Sequence, residues 1–178
     1  MIARDDAPPF GETSLKIAID KEVNTFIGRL GALGYAVDVA SENGKDISAG
    51  GSTLTVDKKH AEAKITHRVC VIIPCMVQGN VPTSAVKIAQ DMPSRNMPAA
   101  ALNGGVLILA GAGVLEGRNY AIGQNLQPYV HDGDLKGIRV VRDGDIVTSG
   151  VCPFSAQVSG LKDGTDELVT AFAAMLKT

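Results

Sequence analysis

The chain has 178 residues, 45% hydrophobic and 20% charged, with a formal net charge of -2. That length and apolar content suit one domain with a sizeable core. The lack of a basic stretch interleaved with aromatics argues against a nucleic-acid partner. No apolar run is long enough to span a membrane. The opening MIARDDAPPFGETS carries acids and prolines where a secretory leader has an apolar stretch, so a cytoplasmic protein is expected. Three cysteines, Cys70, Cys75 and Cys152, form no metal-type pairing and fit reduced thiols in a reducing compartment.

In chain order, residues 1–14 read as a polar surface arm and residues 15–178 as the single domain. LKIAID (residues 15–20) alternates like a strand and equally fits the first turn of a longer helix. Val23, Phe26, Ile27, Leu30 and Leu33 fall at helical spacing, and Gly34 is a helix stop. YAVDVA is a strand, ENGK a turn and ISAGGSTLTVD a small hairpin. KKHAEAKITH is a short polar helix or loop. VCVIIP is a continuous apolar run, the mark of a strand buried on both faces of a parallel sheet.

Residues 80–95 are expected to be helical, interrupted near Pro93. PAAAL is a short central strand, residues 105–113 an apolar helix, and NYAI another strand. IRVVRDGDIVTS makes two strands around an Asp-Gly turn. GTDELVTAFAAMLK closes the chain as an amphipathic helix capped by Thr165 or Asp166. Strands alternate with helices, so the class is α/β with a mainly parallel sheet. In such sheets the site lies at the carboxyl ends of the strands.

Four stretches, LGYAVDVAS, GGSTLTVD, AAALNGGVLILAGAGVLEGR and VVRDGDIVTS, occur in an order and at a spacing that resemble the ThiJ/PfpI superfamily. That superfamily shares the class I glutamine-amidotransferase-like fold. The resemblance implies a three-layer sandwich with a flavodoxin-like sheet plus a small hairpin, and a homodimer. It aligns the family's nucleophilic cysteine with Asn103 and the histidine that often follows with Gly104. A second family histidine falls near Gly123. The family's PGG becomes Pro74, Cys75 and Met76, and its RGP signature is altered to Gly150, Val151, Cys152 and Pro153. A family glutamate that hydrogen-bonds to the cysteine matches Glu22.

An asparagine amide has no useful nucleophilicity, so the family's usual cysteine chemistry is not available at Asn103. The leading reading is therefore a divergent member binding a small polar or anionic ligand at Glu22, Asn103, Gly104 and Met76. A second is a protease-, amidase- or lyase-like enzyme with Cys75 as a relocated nucleophile, or Cys75 and Cys152 as a redox pair. A third is a chaperone-like or structural dimer. Each residue also has a plainer role. Asn103 tolerates a positive φ, Glu22 complements a helix dipole, and Cys75 is a small inert thiol. Cys70, inside VCVII, belongs to the core. His60, His67 and His131 lack acidic ligands at set spacing, and HDGD reads as a turn, so no metal is expected. GAGVLEG ends a helix instead of opening one, so it is no dinucleotide fingerprint and no cofactor is expected.

Overall fold

The computed structural model describes residues 1–5, 11–75 and 81–177. Its first half runs α1 (Gly11–Ile17), a π-helical turn (Ala18–Val23), α2 (Asn24–Gly31), β1 (Ala40–Ser41), β2 (Ile47–Ala49), β3 (Ser52–Leu54), β4 (Lys58–Lys59) and β5 (Val71–Ile73). The second half runs α3 (Thr83–Gln90), β6 (Ala99–Leu102), α4 (Val106–Gly111), β7 (Asn119–Tyr120), β8 (Asp134–Leu135), β9 (Val141–Asp143), β10 (Ile146–Ser149), α5 (Pro153–Ser159) and α6 (Thr165–Met175).

Alternation along three short runs sets the layers. A strand's successive side chains point to opposite faces. Val71, Ile73, Ala99, Ala101 and Ile146 therefore pack with α3 and α4, through Ala85, Ile88, Ala89, Val106 and Leu109. Ile72, Ala100, Leu102 and Val147 face the other way, onto Phe26 and Leu30 of α2 and Leu168, Val169 and Phe172 of α6. Phe26 and Phe172 are fully buried, each worth about 1.5–3 kcal/mol over an exposed position. The result is a three-layer α/β sandwich. Its central strands run β5-β6-β10-β9, with β5, β6 and β10 parallel and β9 antiparallel. The β2–β3 hairpin packs against α1 and the π-helical turn through Leu15, Ile19, Ile47 and Leu54.

Several expectations need correction. The chain's start is not a surface arm: Ile2 and Ala3 are buried. Ile2 pairs with Ala40 in a parallel bridge, and its N–H donates to Ile72 O at 2.9 Å. Residues 1–3 thus link β1 to β5 and take the sheet position that LKIAID was a candidate for. LKIAID is helical, because Leu15, Ala18, Ile19, Glu22, Val23 and Phe26 need one buried face at helical spacing. Of YAVDVA only the last residue lies in a strand: β1 is Ala40–Ser41, which pairs with the equally short β4. The closing helix is capped by neither Thr165 nor Asp166. Gly164 is its N-cap, and Asp163 accepts the Thr165 N–H at 2.9 Å. Helix α5 was not anticipated, although Pro153 at its first position is a helix-start signal. The expected break near Pro93 is a 3-10 turn, Pro93–Arg95, after α3. The Asp-Gly turn joins β9 to β10, with Gly144 at φ +59°.

Candidate functional site

The site forms where β5, β6 and β10 end. Strand β6 passes at Leu102 into a tight 3-10 turn, Asn103–Gly105, that opens α4. Asn103 holds φ +44°, a left-handed conformation that asparagine accepts at lower cost than most residues. Gly105 lets this turn lie on the end of β5. A Cβ there would stand 2.3 Å from Ile73 O and 2.8 Å from Pro74 O. That contact brings Cys75, two residues past β5, beside the turn.

Gly104 N–H donates to Cys75 Sγ at 3.4 Å. The Asn103 amide is committed on both sides. Its Nδ2 donates to Cys152 Sγ at 3.6 Å, and its Oδ1 accepts the Gly123 N–H at 3.2 Å. Gly123 must lack a side chain, because a Cβ would meet Asn103 Oδ1 at 2.6 Å. Glu22 enters from the other side. It sits in the π-helical turn, an irregularity common at functional sites, and accepts the Cys75 backbone N–H.

The electrostatics divide unevenly over this cluster. Cys152 is 1% exposed, yet its thiol is lowered to about 6. The Cys75 thiol contributes most; Ser155 and the Asn103 amide add to the effect, and burial opposes it. Ser155 also holds the main chain of Cys152, its Oγ accepting the Cys152 N–H at 2.9 Å. Glu22, also 1% exposed, is pushed well above the usual carboxylate range. Burial is the main cause, with the negative charge of Cys152 next, against the opposing Cys75 N–H. The cluster carries one negative charge readily, on Cys152, and a second with difficulty. Burial raises the thiol of Cys70, which lines a separate cavity of about 250 Å³ with Tyr35, Val37 and Arg68.

Of the residues singled out from sequence, the fold brings together Glu22, Cys75, Asn103 and Gly104. Met76 lies outside the described residues. Sequence reasoning gave Cys152 only a partner's role, whereas it is the sulfur on which donors converge. Its signal was the Pro153 and Ser155 that open α5 directly after it. Among the described residues no cluster of His, Cys, Asp or Glu is arranged to hold a metal, and no helix is long and apolar enough to cross a membrane.

Comparison with known proteins matches residues 15–156 to the DJ-1/PfpI family. No curated protein sequence matches the chain. Among solved structures, a ThiJ/PfpI domain protein from Brachyspira murdochii superposes with a TM-score of 0.77 at 17% identity, covering 99% of this chain and 94% of that one. A DJ-1 superfamily protein from Agrobacterium tumefaciens gives 0.65 at 20% identity, with 97% of each chain covered. Drosophila melanogaster DJ-1beta gives 0.60 at 19% identity, covering 99% of this chain and 97% of that one. At these identities the likeness is one of fold.

Proposed function

The chain belongs to the DJ-1/PfpI family, and we propose that it performs thiol chemistry through Cys152, with the elbow asparagine as a supporting group. One observation carries this reading: the Asn103 amide and the Ser155 backbone N–H converge on a single buried sulfur, whose thiolate Cys75 also favours. Donors aimed at a thiolate favour its charged form, and the thiolate is the nucleophile. In this reading Cys152 attacks the substrate. Cys75 and Asn103 are positioning residues that stabilise the anion. Glu22 acts one step further out, by fixing the backbone at Cys75.

The burial of Cys152 and Cys75 suits a small electrophile, such as a compact carbonyl, an acyl group or a peroxide. Binding of an anionic ligand by Asn103 and Gly104 is less well supported. The Asn103 amide and the Gly104 N–H are already engaged with Cys152, Gly123 and Cys75, so such a ligand must displace them.

Iodoacetamide labelling of folded protein against pH, read at each cysteine by mass spectrometry, tests the reading. The expected result is a Cys152 midpoint near about 6 and a Cys70 midpoint above the ordinary thiol value. A Cys152 midpoint at or above about 8.5, or labelling only on unfolding, overturns it.

A further inference from the structure

Cys75 and Cys152 are 77 positions apart in the chain, yet each follows the end of a strand that flanks β6. Cys75 lies two residues beyond β5, and Cys152 three residues beyond β10. Both sulfurs reach the same elbow. One accepts the Gly104 N–H at 3.4 Å and the other the Asn103 amide at 3.6 Å. Both belong to one apolar cluster with Leu102, Phe26 and Leu168, and neither is in a disulfide. Of the groups around Cys152, Cys75 is the one that most favours its thiolate. Two thiols held on adjacent residues of one elbow within an apolar wall are the starting arrangement for a resolved oxidation.

We propose that hydrogen peroxide, or an organic hydroperoxide of similar size, drives Cys75 and Cys152 into a reversible disulfide, with Cys152 oxidised first and Cys75 resolving it. This rests on the assignment of Cys152 as the nucleophile. The Cys152 sulfur attacks one peroxide oxygen, the O–O bond breaks, and an S–O bond forms. The departing hydroxide, or alkoxide, takes up a proton and leaves as water or alcohol. Cys75 then loses its proton and attacks the Cys152 sulfur. The S–S bond forms, the S–O bond breaks, and a molecule of water leaves. Two electrons pass from the sulfur pair to one peroxide. An external dithiol returns the site to its reduced state through a mixed disulfide.

The arrangement also explains why the second thiol sits where it does. A sulfenic acid left alone is open to further, irreversible oxidation. Here Cys152 shares its elbow with another thiol, whose sulfur the Gly104 N–H fixes.

The test is one equivalent of hydrogen peroxide on the folded wild-type protein, followed by alkylation, peptide mapping and dimedone capture. The expected product is a Cys75–Cys152 cross-linked peptide that dithiothreitol reverses, with Cys70 still alkylated. Cys75→Ser is expected to stop at a Cys152 sulfenic acid that dimedone captures. Wild-type mapping stands by itself should that variant fold poorly. A dimedone adduct or sulfinic acid at Cys152 while Cys75 remains alkylatable overturns the disulfide and leaves the nucleophile assignment standing. Failure of Cys152 to react with peroxide, joined to a Cys152 labelling midpoint at or above about 8.5, overturns both.

Discussion

Two buried polar clusters in this chain are built from similar parts and do opposite things. Around His60, 3% exposed, the ring meets Ala40 O at 3.1 Å through Nε2 and Ser84 Oγ at 2.9 Å through Nδ1. A carbonyl only accepts, so Nε2 carries the proton and Nδ1 accepts from the serine. Burial holds the ring below its usual range, and the neutral imidazole ties β1 to α3. Around Cys152 the donors converge on the anionic form instead. The lesson is that burial alone does not mark function. A buried group whose neutral form is fully paired is a strut, and one whose charged form is paired is poised to react.

The comparison breaks most severely where the elbow loses its seat. Gly105→Ala places a methyl group against the Ile73 and Pro74 carbonyls and is expected to cost about 3 kcal/mol, read by urea unfolding. The same variant should return the Cys152 labelling midpoint toward the ordinary thiol value. An unchanged midpoint would show that the elbow's seat on β5 does not set the thiolate. Asn103→Ala is expected to cost about 2 kcal/mol, from a strained positive φ and two lost hydrogen bonds. Asn103→Gly keeps the conformation and should recover about half of that loss. Both variants should raise the Cys152 midpoint, because both remove the amide donor.

His60→Ala is the control from the other cluster. It is expected to cost about 1–2 kcal/mol, by removing the ring's bonds to Ala40 O, which keeps the Ala3 N–H, and to Ser84. It should leave the Cys152 midpoint where it was, and a shift would mean the two clusters are coupled. The smallest effect is a slope. Cys152 is lowered on folding, so its contribution is complete above the ordinary thiol value of about 9 and is lost as pH falls toward about 6. Glu22 is raised on folding, so its contribution is largest below the usual carboxylate value of about 4.5 and declines as pH rises. Urea midpoints across pH 5–9 should therefore lose their rise in Cys152→Ser and their acid-side decline in Glu22→Gln.

Much of the frame was legible before the fold. The apolar run at residues 71–73, the alanine strand at 99–102, the Asp143–Gly144 turn and the closing helix all follow from local pattern and turn chemistry. The elbow was legible too, because few residues other than asparagine and glycine take the left-handed conformation that Asn103 adopts. Periodicity reports which face a side chain takes, not which distant residue it meets. Only tertiary structure put Ile2 between Ala40 and Ile72, and so left LKIAID to be a helix. Only tertiary structure turned Glu22 inward from a π-helical turn to the Cys75 backbone. The convergence of Cys75 and Cys152 on one elbow is likewise non-local. It depends on the order β5-β6-β10 and on a glycine that lets the elbow rest on the end of β5. Sequence pattern alone determined most of the parts and the faces they bury. Close packing across chain-distant strands decided which sulfur the donors surround.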